Sequence, residues 1–155
     1  MKKQKVIALV AHDNRKKDMI EWVAFNWKEL IPHKLICTGT TGKLVSDALC
    51  KKAFENDMIC PDIVKLKSGP LGGDQQLGAL ICEEKVDVLI FFWDPMQAQP
   101  HDVDVKALLR ISTLYNIPAA YTRSSADFII SSHLFHEEYT PIKNDYSNYI
   151  SRILE

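Results

Sequence analysis

The order of short apolar runs and longer amphipathic segments limits the folds open to this chain more than any other feature. Residues 6–11 and 87–93 are almost continuously apolar, which is typical of strands buried on both faces of a sheet. Further strands are predicted at 34–37, 62–66 and 117–121, and helices at 14–30, 43–54, 75–83, 102–115, 125–130 and near 146–154. This alternation predicts a Rossmann-like α/β fold, a three-layer α/β/α domain with a mainly parallel five-stranded sheet.

Length and charge exclude several classes of protein. The 155 residues suit one domain, taken here as residues 1–155, and the 19 basic and 20 acidic side chains nearly balance. A nucleic-acid-binding protein normally carries a basic excess or a basic face, so we expect no nucleic-acid partner. No apolar stretch approaches the roughly 20 residues of a membrane helix, and residues 6–11 are too few for a signal peptide. We therefore expect a cytoplasmic protein with no membrane partner.

The cysteines and histidines show no spacing typical of a metal site. The chain has four cysteines and no C-x-x-C pair, and no histidine follows them at the sequence spacing of a zinc site. Reduced thiols are therefore predicted at Cys37, Cys50, Cys60 and Cys82. We therefore expect no metal ion.

Residue types that carry chemistry cluster where the predicted strands end. They are His12 and Asp13 after the first strand, residues 38–42 (TGTTG) after the second, residues 68–74 (SGPLGGD) after the third, and Asp94 and His101 after the fourth. In open parallel sheets ligands bind beyond the carboxyl ends of the strands, at the point where the strand order reverses. Nothing comparable is predicted at the opposite edge, so the carboxyl edge is expected to hold the active site.

Residues 38–42 are one candidate phosphate site. Glycines allow a tight turn that points N–H groups outward, and threonine hydroxyls add donors. The nucleotide P-loop pattern is absent, because Cys37 and Leu44 occupy positions that need glycine and a hydroxyl residue. A plain turn with threonine caps remains an alternative. Lys16, one helical turn beyond His12, is either a phosphate ligand or an ordinary solvated lysine.

Asp74 ends the second glycine-rich segment and has two possible roles. It is a candidate general base, with Ser68 and Gly69 donating to an anion beside it, or else the N-cap of the helix predicted at residue 75. A helix N-terminus lowers the pKa of a carboxyl group, whereas burial raises it, so the residue types alone leave both roles open. His101 precedes the helix predicted at residue 102, which favours a neutral imidazole that can polarise a carbonyl.

Five segments together resemble one enzyme family. Residues 8–13 (ALVAHD), 38–42 (TGTTG), 68–76 (SGPLGGDQQ), 88–95 (VLIFFWDP) and 105–110 (VKALLR) are similar to those of bacterial methylglyoxal synthases. The resemblance runs from about residue 6 to residue 130 and is looser in the tail. It implies the methylglyoxal synthase-like fold and conversion of dihydroxyacetone phosphate to methylglyoxal and inorganic phosphate, without a metal or cofactor.

The resemblance also implies a role for each matching position. Asp74 corresponds to the catalytic base and His101 to a histidine that contacts the substrate. The substrate-binding positions correspond to His12, Lys16, Thr38, Gly39, Thr40, Thr41, Ser68 and Gly69, and the supporting acidic positions to Asp13, Asp94 and Asp104. Family members are usually homohexamers inhibited by phosphate, so both properties are expected here. Some place a tail arginine in a neighbouring subunit's site, and the nearest arginine, Arg152, lies one position out of register.

Two other functions fit the same pattern of residues. One is a non-catalytic effector-binding domain, such as the regulatory domain of carbamoyl-phosphate synthetase, and the other is a phosphosugar isomerase. A pure effector site needs no base, so Asp74 on its glycine turn, together with His101, favours an enzyme. The products formed from dihydroxyacetone phosphate distinguish the three functions.

Overall fold

Five parallel strands form one sheet. The computed structural model describes residues 1–96, 102–143 and 145–151, with only the backbone of 102–104 and 150 described. The strands are β1 Val6–Ala11, β2 Lys34–Thr38, β3 Ile63–Leu66, β4 Val88–Phe92 and β5 Ala119–Ala120. Their order is β3-β2-β1-β4-β5, and every neighbouring pair is parallel. The predicted five-stranded α/β architecture is confirmed, and the strand order reverses between β1 and β4.

Helices cover both faces of the sheet. They are α1 Lys16–Phe25, α2 Trp27–Leu30, α3 Gly39–Glu55, α4 Gly73–Cys82, α5 Asp102–Leu114, α6 Arg123–Ser131 and α7 Ser147–Ile150, with 3₁₀ turns at Asp13–Arg15, Gly69–Leu71 and His133–Phe135. The side chains of β4 alternate between two apolar cores: Ile90 packs with α1, α3 and α6, whereas Phe91 packs with α4 and α5. Burial on both faces explains why β1 and β4 are continuously apolar.

Several predicted boundaries were wrong. The helix predicted at 14–30 ends at Phe25, where Asn26 leaves helical geometry before the short α2. The strand predicted at 117–121 pairs only at Ala119–Ala120, since Pro118 has no N–H for a ladder. The helix predicted near 146–154 covers Ser147–Ile150, and residues 152–154 lie outside the described residues.

Two boundary errors affect the site. The helix predicted at residue 43 begins at Gly39, so most of the segment treated as a loop is the first turn of α3. The helix predicted at residue 75 begins at Gly73, with Gly72 as its N-cap. Glycine and threonine are poor helix formers, which is why their runs indicated loops rather than helix starts.

The prediction that all four cysteines are reduced is contradicted at one pair. A disulfide joins Cys50 in α3 to Cys60, with a Cα–Cα distance of 4.7 Å. The chain reverses direction after α3, where Asp57 adopts a positive φ of 54°, and this reversal brings Cys60 back to the helix. Cys37 and Cys82 are free thiols, the first buried and the second exposed, and burial raises the pKa of Cys37 to about 12.

A buried polar cluster lies at the amino edge of the sheet, where nothing comparable to the carboxyl edge was expected. Lys5 is only 1% exposed, and its Nζ donates to the carbonyl oxygens of Lys2 (2.7 Å) and Glu137. The N–H of Lys5 donates to His33 Nδ1 at 3.1 Å, and that of Val6 to Asp87 Oδ2 at 2.8 Å. Burial, and next the charge of Lys5, lower the pKa of His33 to about 4.

Within the described residues, none of the helices has the length and apolar character needed to cross a membrane.

Candidate active site

A cavity of about 280 Å³ opens at the carboxyl edge, beside the reversal of strand order between β1 and β4. Ten of the predicted site residues line it: His12, Asp13, Lys16, Thr38, Gly39, Thr40, Thr41, Ser68, Gly69 and Asp74. Six further residues that the sequence analysis did not single out complete the wall: Val10, Ala11, Pro70, Phe91, Val105 and Leu108. The strand and helix periodicity placed Val10, Phe91, Val105 and Leu108 in the core, but could not show that they face a cavity.

The N-terminus of α3 forms one side of the cavity. Thr38, the N-cap, has extended geometry, and the N–H of Gly39 donates to the carbonyl oxygen of Lys67 at 3.1 Å. The first turn of any α-helix presents N–H groups that have no acceptor inside the helix, and the helix dipole makes this end positive. Thr40 and Thr41 lie in this turn, so the cavity wall has the features of an anion site.

Two glycines allow the segments that follow β2 and β3 to press against each other. Gly39 has a φ of 41°, and a Cβ added there would lie 2.6 Å from Ser68 Cα. A Cβ on Gly73 would lie 1.9 Å from the carbonyl oxygen of Lys67. Side chains at either position would force the two segments apart, so these glycines are needed to bring Ser68 and Gly69 to the α3 N-terminus.

Asp74 lies in the first turn of α4 and lines the cavity. The alternative that it caps this helix is wrong, because the N-cap is Gly72. Its Oδ1 atom is buried, so the carboxyl group is subject both to a helix N-terminus and to partial removal from water. Asp74 therefore contributes a carboxylate to the cavity that the first turn of α3 also lines, together with Phe91 and Leu108.

Lys16 places a positive charge on the cavity wall. Its Nζ lies 2.6 Å from Asp13 Oδ1, and its side chain is 21% exposed, against 81% for Asp13. The hydrogen bond and charge of Lys16 hold the pKa of Asp13 below its usual value. The lysine is thus held at the cavity by an exposed partner, and its role as a phosphate ligand stays a prediction.

His12 and Asp94 meet across the reversal of strand order. The backbone N–H of Asp94 donates to His12 Nδ1 at 3.2 Å, and the His12 ring packs edge-on against Phe91. Asp94 itself does not line the cavity. Its carboxylate accepts from Asn14 Nδ2 at 2.9 Å and from the N–H of Met96 at 3.0 Å, and these bonds lower the pKa of Asp94.

Three predicted positions cannot be placed in this geometry. His101 and Arg152 lie outside the described residues, and Asp104 is described only as backbone within α5. In the part of the chain that is described, no group of three or more His, Cys, Asp or Glu side chains is arranged to hold a metal ion. The expected absence of a metal or cofactor stays a prediction.

Comparison with known proteins shows similarity over the whole chain. The family model described as MGS-like domain matches residues 18–121. The methylglyoxal synthase of Maridesulfovibrio salexigens is 54% identical, with 99% of this chain and 100% of that protein covered. That of Oleidesulfovibrio alaskensis is 52% identical, with 99% and 98% covered. The crystal structure of methylglyoxal synthase from Elizabethkingia anophelis NUHP1 has a TM-score of 0.88 at 44% identity, with 100% and 95% covered.

Proposed function

Because the chain belongs to the methylglyoxal synthase family, we propose that it is a lyase that converts dihydroxyacetone phosphate to methylglyoxal and inorganic phosphate. The observation that carries this proposal is a single cavity that combines the positive N-terminus of α3 with the carboxylate of Asp74. The first feature suits the phosphate of the substrate, and the second suits removal of a proton from its carbon chain.

The phosphate group binds at the first turn of α3. Backbone N–H groups and hydroxyls of Thr38, Thr40 and Thr41 surround it on one side, and Ser68 and Gly69 on another. Lys16 adds a positive charge on the cavity wall, and His12 adds a hydrogen-bond donor there. The close contacts at Gly39 and Gly73 hold the first turn of α3 and the segment of Ser68 and Gly69 together, so these donors fix the direction of the phosphate and not only its presence.

Asp74 is the proposed base. Its carboxylate takes a proton from C3 of the bound ketone, and the electron pair of the broken C–H bond forms a C2–C3 double bond while the carbonyl oxygen becomes negatively charged. That enediolate needs hydrogen-bond donors, which we assign to His101 and to backbone N–H groups. The apolar wall formed by Phe91, Val105 and Leu108 excludes water from this part of the cavity.

Elimination follows when the enediolate collapses. The proton of the C3 hydroxyl first passes to the C2 oxygen, so that the negative charge lies on the C3 oxygen. That oxygen forms a C3=O double bond, the C2–C3 π electrons move into the C1–C2 bond, and the C1–O bond breaks with the phosphate taking the bonding electrons. The enol that remains tautomerises to methylglyoxal. An isomerase would instead return a proton to carbon, so holding the C1–O bond in line with the enediolate π system is the step on which the outcome depends. We assign this alignment to the α3 N-terminus and Lys16.

The finer properties implied by the family resemblance are part of the proposal. We propose a cytoplasmic homohexamer that phosphate inhibits as product, with Asp13, Asp94 and Asp104 supporting the site. An arginine reaching a neighbouring subunit would be Arg152. Size measurement by light scattering tests the hexamer, and inhibition by added phosphate tests the product site.

One assay decides between the three candidate functions. Purified protein is incubated with dihydroxyacetone phosphate, and methylglyoxal, free phosphate and glyceraldehyde 3-phosphate are all measured. Equal amounts of methylglyoxal and phosphate support the proposal. Glyceraldehyde 3-phosphate as the product would indicate an isomerase, and no turnover despite phosphate binding would indicate an effector-binding domain.

The Asp74→Asn variant tests the base. We expect kcat to fall by about 10³-fold or more, because the amide cannot accept the proton, while phosphate binding is retained. Asp47→Asn, an exposed aspartate on α3 that does not line the cavity, is the matched control. Turnover by Asp74→Asn at the rate of this control would exclude Asp74 as the base.

A further inference from the structure

Asn14 lies next to the site but does not line the cavity, and nothing in the proposed reaction uses it. It belongs to the 3₁₀ turn that follows β1, whereas Asp94 follows β4. Its Nδ2 donates to Asp94 Oδ2 at 2.9 Å, although the two residues are 80 positions apart in the chain. The bond therefore joins the ends of the two strands between which the strand order reverses.

Asp94 connects this bond to the cavity. One carboxylate oxygen accepts from Asn14 and the other from the N–H of Met96, so both oxygens are held. While both carboxylate oxygens are held, the backbone N–H of Asp94 donates to His12 Nδ1 at 3.2 Å. His12 is thus held by a donor whose position depends on the Asp94 side chain.

The direction of this hydrogen bond determines the protonation pattern of the neutral His12 ring. A ring nitrogen that accepts a hydrogen bond carries no proton, so the single proton of a neutral imidazole lies on Nε2. The edge-on contact with Phe91, at 5.2 Å between ring centroids, restricts the orientation of the ring. His12 lines the cavity, and in this tautomer its Nε2–H is the group that can donate to an oxygen of the substrate.

We propose that Asn14 is a positioning residue, which holds Asp94 so that its N–H keeps His12 in the Nε2–H tautomer. This inference rests on the proposed function only for its kinetic consequence. If Asn14 is lost, the Asp94 turn loses one of its two side-chain anchors, and the His12 ring is free to exchange tautomers. Substrate and phosphate binding then weaken, whereas proton removal by Asp74 does not change.

The variant Asn14→Asp is the sharpest test, because it keeps the shape of the side chain but replaces the N–H donor with an oxygen that repels the Asp94 carboxylate. Lys17→Ala is the matched control: it changes the net charge by the same amount, three positions along the chain, at an exposed residue that does not line the cavity. Asn14→Ala removes the donor without adding repulsion, and it replaces Asn14→Asp in the same measurements if that variant is unstable.

Three measurements are made on each variant: the long-range ¹H–¹⁵N spectrum of the histidine rings, the KM and kcat for dihydroxyacetone phosphate, and the Kd for inorganic phosphate. For Asn14→Asp we expect a mixture of His12 tautomers, about a fivefold rise in KM and in the phosphate Kd, and kcat within about twofold of wild type. A single Nε2–H tautomer in Asn14→Asp, with the KM and phosphate Kd of Lys17→Ala, would overturn the proposal.

The three measurements distinguish a failure of this inference from a failure of the proposed function. If the wild-type protein does not turn over dihydroxyacetone phosphate, the proposed function fails, while the ring spectrum and the phosphate Kd still test Asn14. A rise in KM without any change of tautomer would also contradict the inference, because Asn14 would then act by some route other than His12.

Discussion

The two edges of the sheet carry similar residue types and use them differently. At the amino edge, Lys5, His33 and Asp87 direct their polar atoms at the protein's own backbone. At the carboxyl edge, His12, Lys16 and Asp74 line a cavity. The histidines show the contrast best, because each accepts a backbone N–H at Nδ1, but His33 is 7% exposed and packs against Phe135 whereas His12 faces the cavity.

The direction of the chain explains the difference. In each βα unit the helix that follows a strand begins at the carboxyl edge, so helix N-termini with their N–H groups gather there. The amino edge has no such excess of donors, and a polar group buried there needs a partner from the protein itself. A polar side chain therefore suggests function only when its hydrogen-bonding capacity is directed into a cavity.

The largest effect is expected when the backbone packing of the carboxyl edge is broken. Gly73→Ala places a Cβ against the carbonyl oxygen of Lys67, and we expect it to lower the free energy of unfolding by about 3 kcal/mol. In the same helix, Gly78→Ala meets no atom within 4 Å and should raise this free energy by about 0.5–1 kcal/mol. Urea unfolding of both variants measures the difference, and equal stabilities would show that Gly73 is not a packing requirement.

At the amino edge, the wild-type protein should lose stability in acid because of His33. The folded pKa is about 4 and the unfolded pKa 6.5, so the unfolded chain binds the extra proton as the pH falls below 6.5. The free energy of unfolding is unaffected above pH 6.5. It decreases as the pH falls from 6.5 toward 4, by up to about 3 kcal/mol. His33→Asn keeps an acceptor for the Lys5 N–H but cannot titrate, so urea unfolding at several pH values should give it a flatter profile. Parallel profiles would contradict this account.

A smaller effect is expected from Asp87. Asp87→Ala removes the acceptor of the Val6 N–H, which should lower the free energy of unfolding by about 1–2 kcal/mol. Phosphate affinity should not change, because the residue lies at the opposite edge from the cavity. Asp62→Ala, at an exposed aspartate just before β3, is the control and should have almost no effect on stability. A weakened phosphate Kd in Asp87→Ala would show that the two edges are not independent.

The smallest effect on stability is expected at the exposed ion pair of the carboxyl edge. Asp13→Asn should change the free energy of unfolding by less than ~1 kcal/mol, as is usual for exposed ion pairs. It should weaken phosphate binding by about threefold, since a carboxylate no longer holds Lys16 at the cavity. Asp18→Asn, whose partner Arg15 does not line the cavity, should leave phosphate affinity unchanged. Calorimetric titration with phosphate compares the two, and equal affinities would exclude this role of Asp13.

The positions of individual elements show where prediction from the sequence succeeded and failed. The buried strands β1 and β4 were found because burial on both faces leaves a continuous apolar run. The start of α3 was missed because Gly39, Thr40 and Thr41 have low helix propensity, which tertiary contacts override. The Cys50–Cys60 disulfide was missed because sequence spacing says nothing about a chain reversal.

The sequence by itself determined the alternation of strands and helices, and with it the edge of the sheet at which the glycines, threonines and carboxylates gather. Only the tertiary structure decided which of them share one cavity. His12 and Asp94, 82 residues apart, meet because β1 and β4 are neighbours in the sheet, and Lys5 meets Glu137 across 132 residues at the other edge. Such contacts depend on strand order and on how closely the backbones approach, and neither quantity is encoded in local periodicity.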